Sequence, residues 1–380
     1  MVMPMKILYI ATVQSHICQF HKPIMRLMHE KGAEVHVAAC DNLVQKNGLK
    51  MEYADKVFDV PFDRSPKSLR NIKAYRQLKK IIDENSYDLI HCNTPVGGVI
   101  ARLASRRARK HGAKLIYTAH GFHFYKGAPR FNWLVYYPVE KALARLTDAI
   151  ITITHEDYEL ARKKFSTNVY FSHGVGANGE KYMPVDTETA LELRREMGIG
   201  QDEFVILCTG ELLKNKNQRT AILAVHEARK KHSDIRLLLA GNGSERAALE
   251  SLIDELGERK SIELIGYRID LERYVGACDM VMSCSFREGL PLNIAEAMLM
   301  KKAALVSDNR GHRELVENGK TGYIVGSGDV GAFADRIELM HDDRALLSAM
   351  GDEAYKRSAL YAAENVVKEI EKVYDEVQKV

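Results

Sequence analysis

The sequence predicts an α/β protein built from two doubly wound, Rossmann-like domains, and three observations lead to this prediction. The chain has 380 residues, more than the roughly 250–300 residues that one hydrophobic core usually supports. Short strand-like apolar runs alternate with longer helical patterns, as in βαβ units with parallel strands. A cluster of glycines at 174, 176 and 179, followed by Pro184, interrupts the alternation, which then starts again.

The first domain is expected over residues 1–175, followed by a linker over 176–200 and a second domain over 201–362. The first domain opens with a strand, a helix that ends before Gly32 and another strand, as a doubly wound fold does. Its predicted strands are residues 7–11, 34–39, 88–92, 114–118, 149–154 and 169–171. Those of the second domain are residues 204–209, 235–240, 262–264, 280–284, 304–307 and 323–325.

The final segment, residues 363–380, carries apolar side chains at 366, 367, 370, 373 and 377 among charged ones. This spacing predicts an amphipathic helix. We expect it to pack back on the N-terminal domain.

Composition excludes several classes of protein. The formal charge of +4 is too weak for a nucleic-acid-binding protein. The six cysteines form no Cys-x-x-Cys pair, so a zinc knuckle or redox motif is not indicated, and they suit a reducing cytoplasm. The N-terminus has no apolar stretch of signal-peptide or membrane-spanning length, so we expect a cytoplasmic protein with at most peripheral membrane contact.

Two basic runs lie in the first third of the chain. Each can be an ordinary solvated helix face, but two together favour an anionic surface, either phospholipid headgroups or a phosphate-bearing substrate. The runs are Lys67, Arg70, Lys73, Arg76, Lys79 and Lys80, then Arg102, Arg106, Arg107, Arg109 and Lys110.

The most informative stretch follows the predicted strand 280–284. Ligands of open parallel sheets bind beyond the carboxyl ends of the strands. Pro291 is well placed to open a helix whose free N–H groups can bind a diphosphate. Glu288 lies in the loop and Glu296 lies about one and a half turns into the helix, where carboxylates can accept hydrogen bonds from sugar hydroxyls.

Glu288 and Glu296 match the Glu-x7-Glu motif, and the chain resembles family 4 of the retaining nucleotide-sugar glycosyltransferases. The resemblance runs over nearly the whole chain and implies the GT-B fold, in which two Rossmann-like domains face a cleft. The matching residues are Glu288-Gly-Leu-Pro with Asn293, Glu296-Ala-Met, Val306-Ser, Gly311, Glu314-Leu-Val and Asn318-Gly-x-x-Gly322.

The resemblance implies roles for residues on the donor side. Glu288 would lie near the donor sugar, and Glu296 would bind the ribose diol. Lys216 would neutralise the leaving diphosphate, with Lys214 as a substitute for the family arginine that Glu211 replaces here. The backbone near Tyr267 and Arg268 would contact the base. Further donor contacts are expected from Gly210, Gly289, Leu290, Pro291, Leu292 and Asn293.

On the acceptor side, His120 follows the predicted strand 114–118 and precedes a glycine, as in the family's His-Gly site. The resemblance implies that this histidine approaches the donor sugar, which makes His120, Glu288 and Lys216 the expected catalytic residues. Acceptor contacts are expected from His16, His21, Asn93 and Thr94, although the neighbouring pair Gly97-Gly98 can equally be a close-packing turn.

The resemblance implies retention of anomeric configuration, and no carboxylate nucleophile for a covalent route is evident. We therefore expect a same-face displacement in which the departing phosphate oxygen takes the acceptor proton. No Asp-x-Asp lies at a suitable strand end, so no divalent metal and no other cofactor is expected.

The motifs look like those of bacterial enzymes that build capsule, exopolysaccharide or lipid-linked oligosaccharide. The expected donor is a UDP-sugar carrying a hexose or N-acetylhexosamine, and the expected acceptor is a polyprenyl-diphosphate-linked saccharide at the inner face of the cytoplasmic membrane. Two alternatives stay open, a UDP-sugar 2-epimerase of the same architecture and a non-catalytic scaffold of a polysaccharide-assembly complex.

Overall fold

The computed structural model describes residues 4–45 and 49–379. The chain divides into two compact units. The first contains the described residues up to Gly176 together with those from Ala363 onward, and the second runs from Ala177 to Ala362. Each unit is an α/β structure around one parallel sheet, which confirms the predicted fold class.

The sheet of the first unit has seven parallel strands among the described residues, in the order β3-β2-β1-β4-β5-β6-β7. The order reverses between β1 and β4, which makes this the switch point of a doubly wound fold. The strands are β1 (Lys6–Val13), β2 (Glu34–Cys40), β3 (Lys56–Asp59), β4 (Leu89–Asn93), β5 (Lys114–Ala119), β6 (Ala149–Thr152) and β7 (Asn168–Phe171).

Helices cover both faces of this sheet. One face packs against α1 and α2 and the other against α3, α4 and α6. The helices before the second unit are α1 (Gln14–Phe20), α2 (Lys22–Glu30), α3 (Arg70–Asn85), α4 (Pro95–Ala104), α5 (Arg106–Lys110), α6 (Arg130–Ala144) and α7 (His155–Lys164).

The second unit repeats this plan with six strands in the order β10-β9-β8-β11-β12-β13, so its switch point lies between β8 and β11. The strands are β8 (Phe204–Thr209), β9 (Ile235–Ala240), β10 (Ile262–Gly266), β11 (Met280–Ser283), β12 (Ala303–Ser307) and β13 (Gly322–Val325). The helices are α8 (Thr187–Glu196), α9 (Gln218–Arg229), α10 (Arg246–Glu255), α11 (Leu271–Ala277), α12 (Leu292–Leu299), α13 (Arg310–Leu315), α14 (Val330–Asp342) and α15 (Arg344–Ser358).

The segment 176–200, expected as a linker, lies in the second unit from Ala177 onward instead. Its helix α8 packs against α11. The buried Arg194 of α8 donates to the carboxylate of Asp279 at 2.7 Å and to the carbonyl of Ala277 at 2.9 Å. These contacts tie the segment into the fold, whereas glycine and proline content alone had suggested a free connection.

The last helix, α16 (Ala363–Lys379), belongs to the first unit. It buries Val366, Ile370, Val373, Tyr374 and Val377 in the core cluster that also contains α1 and α2. The hydroxyl of Tyr374 lies 2.6 Å from Nδ1 of His91 in β4. The end of the chain therefore completes the core of its beginning.

No helix in residues 4–45 and 49–379 is both long enough and apolar enough to span a membrane.

Candidate functional site

Two loops meet at the switch point of the second unit. The loop after β8 carries Lys216, the loop after β11 carries Glu288, and Lys216 Nζ lies 2.6 Å from Glu288 Oε1. The Lys216 side chain is 25% exposed and that of Glu288 is 12% exposed, so the pair is largely buried but still reaches solvent. Lys216 and Glu288 lie 72 residues apart in the sequence, and the fold brings their charges together.

Hydrogen bonds to backbone carbonyls hold the loop after β8 against the loop after β11. The N–H of Phe286 donates to the carbonyl of Asn215 at 2.9 Å, and Asn215 Nδ2 donates to the carbonyl of Arg287 at 2.9 Å. Asn217 Nδ2 also reaches the carbonyl of Cys284 at 3.2 Å. These bonds fix the approach of Lys216 to Glu288, so the ion pair does not depend on two free side chains finding each other.

A third loop supports the second from the side of β12. Asn309 Nδ2 donates to the carbonyl of Ser285 at 2.9 Å, and Ser307 Oγ donates to the same carbonyl at 2.5 Å. The close approach of the segment after β12 to the loop after β11 requires a glycine at 311, because a Cβ there would lie 2.3 Å from the carbonyl oxygen of Gly289. The buried ring of His312 lies 3.0 Å from Ser283 Oγ, at the end of β11.

Helix α12 begins directly after this loop, with Pro291 at its N-cap position. The first N–H groups of any helix have no partner within the helix, so the backbone at Leu292 and Asn293 offers donors to an anion. Asn293 Nδ2 donates to Thr209 Oγ1 at 2.8 Å, which joins the start of α12 to the end of β8. Gly210, Gly289 and Leu290 lie in the two loops beside this helix start.

Glu296 lines a small pocket together with Asn293 and Tyr182, whose hydroxyl hydrogen-bonds the Glu296 carboxyl. The rest of the lining is mostly apolar. Burial raises the pKa of Glu296 to about 7, and the bond from Tyr182 opposes this effect without cancelling it. A carboxyl group in such a setting can take up or release a proton near neutral pH.

Tyr267 and Arg268, the expected base contacts, lie in the loop after the edge strand β10, and both are exposed. Neither lines the pocket around Glu296. Arg268 stacks on the ring of Tyr274 at 5.2 Å and lines a larger cavity of about 390 Å³ between α8, α11 and the sheet. The structure thus brings Lys216, Glu288, Asn293 and Glu296 together and leaves the two exposed side chains to one side.

The first unit has its own cluster at the switch between β1 and β4. His120, directly after β5, has its Nε2 3.1 Å from Asn93 Oδ1 and 3.3 Å from His16 Nε2. Burial lowers the pKa of His120 to about 4, so its imidazole is neutral at pH 7 and can donate one N–H and accept one hydrogen bond.

The expected acceptor residues differ in exposure. Asn93 and His21 are buried, at 0% and 2% exposure, so Asn93 positions His120 rather than presenting its own amide to solvent. Thr94 has a φ of 64° and hydrogen-bonds Thr12 through both side-chain hydroxyls, at 2.7 Å. Residues other than glycine in such strained backbone conformations are found most often at functional sites.

Gly97 and Gly98 lie inside the helix α4 and not in a turn. A Cβ there would collide with Thr94 and Tyr117 respectively, so the pair does allow close packing.

The second basic run was expected, together with the first, to face an anionic surface, but two of its five cations are paired within the protein. Arg102 is buried, donates to Glu140 at 2.7 Å and stacks on the ring of Tyr117 at 4.0 Å. Arg109 forms a two-pronged ion pair with Asp148 at 2.6 and 2.8 Å. Only Arg106, Arg107 and Lys110 of this run are exposed. Both carboxylate partners come from distant sequence positions, so the run alone could not reveal them.

Comparison with known proteins decides the family. The model of "Glycosyl transferases group 1" matches residues 190–357, and that of "Glycosyl transferase 4-like" matches residues 6–154. The putative glycosyltransferase EpsD of Bacillus subtilis is 41% identical over 375 residues, which cover 98% of this chain and 97% of EpsD.

The chain belongs to this glycosyltransferase family. The expected resemblance to family 4 is thereby confirmed, and so is the expectation of a transferase.

A further relative and a solved structure extend the comparison. An Escherichia coli enzyme named UDP-Gal:alpha-D-GlcNAc-diphosphoundecaprenol alpha-1,3-galactosyltransferase is 26% identical over 88% of this chain and 87% of its own. The crystal structure of Anabaena Alr3699/HepE in complex with UDP and glucose superposes with a TM-score of 0.81 at 21% identity, over 98% of this chain and 100% of that one. This likeness shows that the glycosyltransferase has the GT-B fold.

Sequence reasoning missed the residues that support the glycosyltransferase site. Asn215, Asn309 and His312 are polar side chains next to the predicted strand ends, and that position was the available signal. Asn215 and Asn309 bond backbone carbonyls of another loop and His312 bonds the hydroxyl of Ser283, and no spacing in the sequence identifies these partners.

Proposed function

We propose that this glycosyltransferase moves a hexose or N-acetylhexosamine from a UDP-sugar to a saccharide on a polyprenyl diphosphate, in the synthesis of a cell-surface polysaccharide. The observation that carries the proposal is the ion pair of Lys216 and Glu288 beside the start of α12. The name of the E. coli relative, with its UDP-galactose donor and lipid-linked acceptor, supports it. A Staphylococcus aureus relative, 23% identical, is named as a capsular polysaccharide biosynthesis glycosyltransferase.

The donor diphosphate would lie against the N–H groups at 290–293, with Lys216 on its leaving oxygens and Lys214 as the second cation. Charge that develops on the leaving group is stabilised most by donors already in place, and the loop contacts of Asn215 and Asn309 hold this group of donors. Glu296 would accept hydrogen bonds from the ribose diol. Because Glu211 stands at the family arginine position, Lys214 and Lys216 would supply the positive charge from the loop after β8.

In the proposed reaction the acceptor hydroxyl attacks the anomeric carbon from the face that the diphosphate leaves, so the configuration is retained. The bond from the anomeric carbon to the acceptor oxygen forms as the bond to the phosphate oxygen breaks, and that phosphate oxygen takes the hydroxyl proton. Glu288 would accept a hydrogen bond from a hydroxyl of the donor sugar. The mechanism requires no divalent metal on the diphosphate.

We further propose that the first unit binds the inner face of the cytoplasmic membrane. Helices α3 and α6 both contact α4 on one face of the sheet, so their outward sides belong to one surface. On α6, Phe131, Leu134, Val135 and Val139 are exposed, with Leu134 at 76%. At the start of α3, Leu69 is 80% exposed.

This surface, which we call the α3–α6 face, combines exposed apolar side chains with cations and has no exposed acid in α3 before Asp83. Apolar residues and cations on one helical surface are typical of proteins that lie in the membrane interface. The exposed cations are Lys67, Arg70, Lys73, Arg76, Lys80, Arg106, Arg107 and Lys110.

The experiment that tests the proposed transfer is a donor and acceptor screen with the purified chain. UDP release and the mass of the lipid product are measured for UDP-glucose, UDP-galactose, UDP-GlcNAc and UDP-GalNAc, with and without GlcNAc-diphosphoundecaprenol. Product is expected with one donor, and its anomeric configuration by NMR should equal that of the donor. A Glu288→Gln variant serves as the inactive control.

The same screen separates the alternatives. Formation of a 2-epimer from UDP-GlcNAc without acceptor would identify an epimerase, and absence of UDP release with every donor and acceptor would identify a scaffold. Inversion of configuration would contradict the same-face displacement.

A further inference from the structure

Three histidines of the first unit have ring nitrogens that lie close to one another. One ligand atom from each of His16, His21 and His120 lies within 4.8 Å of the other two. His16 and His21 lie at the two ends of α1, and His120 follows β5 at the same edge of the sheet. The group is thus assembled from two separate parts of the chain.

The distance between two of these nitrogens matches metal coordination. Nε2 of His16 lies 3.3 Å from Nε2 of His120, which also lies 3.1 Å from the oxygen Oδ1 of Asn93. Two nitrogens bound to one tetrahedral Zn²⁺ at about 2.0–2.1 Å are separated by about 3.3–3.4 Å. The two rings are nearly perpendicular, with 88° between their planes, so both nitrogens can point at one ion without the rings stacking.

His21 lacks a polar partner. It is 2% exposed, and neither of its ring nitrogens has a hydrogen-bond partner among the described residues. A buried polar group without a partner is costly, by about 1–3 kcal/mol. Its ring centroid lies 5.4 Å from that of His16 and 5.8 Å from that of His120, so a ligand held by those two histidines would also serve His21.

The neighbouring His91 shows what a structural histidine looks like in the same core. Its Nδ1 lies 2.6 Å from the hydroxyl of Tyr374 and its Nε2 lies 2.7 Å from Thr118 Oγ1. Both nitrogens are therefore used, whereas those of His21 are not. The contrast points to a ligand and not to general crowding of histidines.

We propose that His16, His21 and His120 bind a transition-metal ion, with Zn²⁺ as the best match to the spacing. Three imidazoles supply three ligands, and His16 and His120 are half-buried, so a fourth position stays accessible to water or another oxygen ligand. This ion is separate from any metal on the donor diphosphate, which the proposed transfer does without.

The test uses the full chain with His232→Gln, because His232, His341 and Asp342 form a second group of possible ligands. The protein is freed of metal by dialysis against a chelator and titrated with Zn²⁺ by calorimetry and with Co²⁺ by visible absorption. We expect one equivalent of Zn²⁺ to bind and Co²⁺ to give the intense bands of four-coordinate geometry. Zn²⁺ should also raise the unfolding temperature.

Variants locate the ion. When His16→Gln is added to the His232→Gln protein, binding of the one equivalent of Zn²⁺ should be abolished. His21→Gln should have the same effect, whereas His29→Gln, at an exposed position, should leave this binding unchanged. Circular dichroism shows which variants are folded; if His21→Gln is not, the half-buried His16→Gln decides. Absence of any binding step in the His232→Gln protein, or an unchanged step with folded His16→Gln, would overturn the proposal.

Discussion

Lys216 Nζ lies 2.6 Å from Glu288 Oε1, and both side chains are largely buried. Before a donor binds, the positive charge of Lys216 is therefore balanced by Glu288. A diphosphate at the start of α12 would take over part of this role, which leaves Glu288 free to accept a hydrogen bond from a sugar hydroxyl.

Lys216→Ala should lower kcat by about 10²–10³, because it removes a cation already in place for the leaving group. Acceptor KM should change much less. The measurement is initial-rate kinetics of UDP release with the donor identified in the screen. Lys230→Ala, which removes an exposed lysine paired with Glu227, is the matched control and should retain wild-type kcat. Near-normal turnover of Lys216→Ala would remove Lys216 from the mechanism.

Binding of uridine should strengthen with pH because of Glu296. Burial raises its pKa to about 7, so the carboxyl group is mostly protonated at pH 6 and mostly ionised at pH 8. The ionised form accepts two hydrogen bonds from the ribose diol, and the affinity should rise about tenfold over this range. Calorimetric titration with uridine, which has no phosphate to titrate, provides the measurement.

Glu296→Gln should bind uridine with an affinity that is flat between pH 6 and 8, and Glu296→Ala should bind it weakly at every pH. A pH-dependent affinity that persists in Glu296→Gln would assign the titration to another group.

Leu134→Glu should weaken binding to anionic vesicles by about tenfold or more, since burial of one leucine contributes about 1.5–3 kcal/mol. Cosedimentation with phosphatidylcholine vesicles, with and without phosphatidylglycerol, measures this. Leu360→Glu is the control, because Leu360 is exposed in the second unit at 44%. Equal loss in both variants would show that the α3–α6 face has no special role.

Tyr374→Phe should lower the free energy of unfolding by about 1–3 kcal/mol, because it leaves Nδ1 of the buried His91 without its partner. Urea denaturation followed by circular dichroism measures the change. Tyr355→Phe, at an exposed position, should stay within about 0.5 kcal/mol of the wild type. A stability of Tyr374→Phe equal to that of Tyr355→Phe would mean that the bond to His91 contributes nothing.

Most strands of the two sheets could be predicted, because buried parallel strands are continuous apolar runs in the sequence. The exception is β3, where Lys56 and Asp59 flank only two apolar residues and just Phe58 is half-buried. Short charged edge strands are common because they discourage pairing with other chains, and the same property hides them from pattern analysis.

More of the donor side than of the rest of the candidate site could be predicted, because its residues directly follow predicted strands in the sequence. Glu288 and Lys216 each follow a strand, and the fold brings them together. Arg102 could not be understood in this way, since its burial depends on Glu140, which lies 38 residues further on. Long-range ion pairs of this kind decide which charges of a basic run reach solvent.

The return of α16 to the first unit has a consequence for biosynthesis. Val366, Tyr374 and Val377 are synthesised after the whole second unit, yet these side chains fill the core begun by α1 and α2. The second unit is continuous in sequence and can fold while translation is still in progress. The first unit therefore begins before the second unit is made and can be completed only after it, and a chain that stops shortly before Val366 would lack part of the core of the first unit.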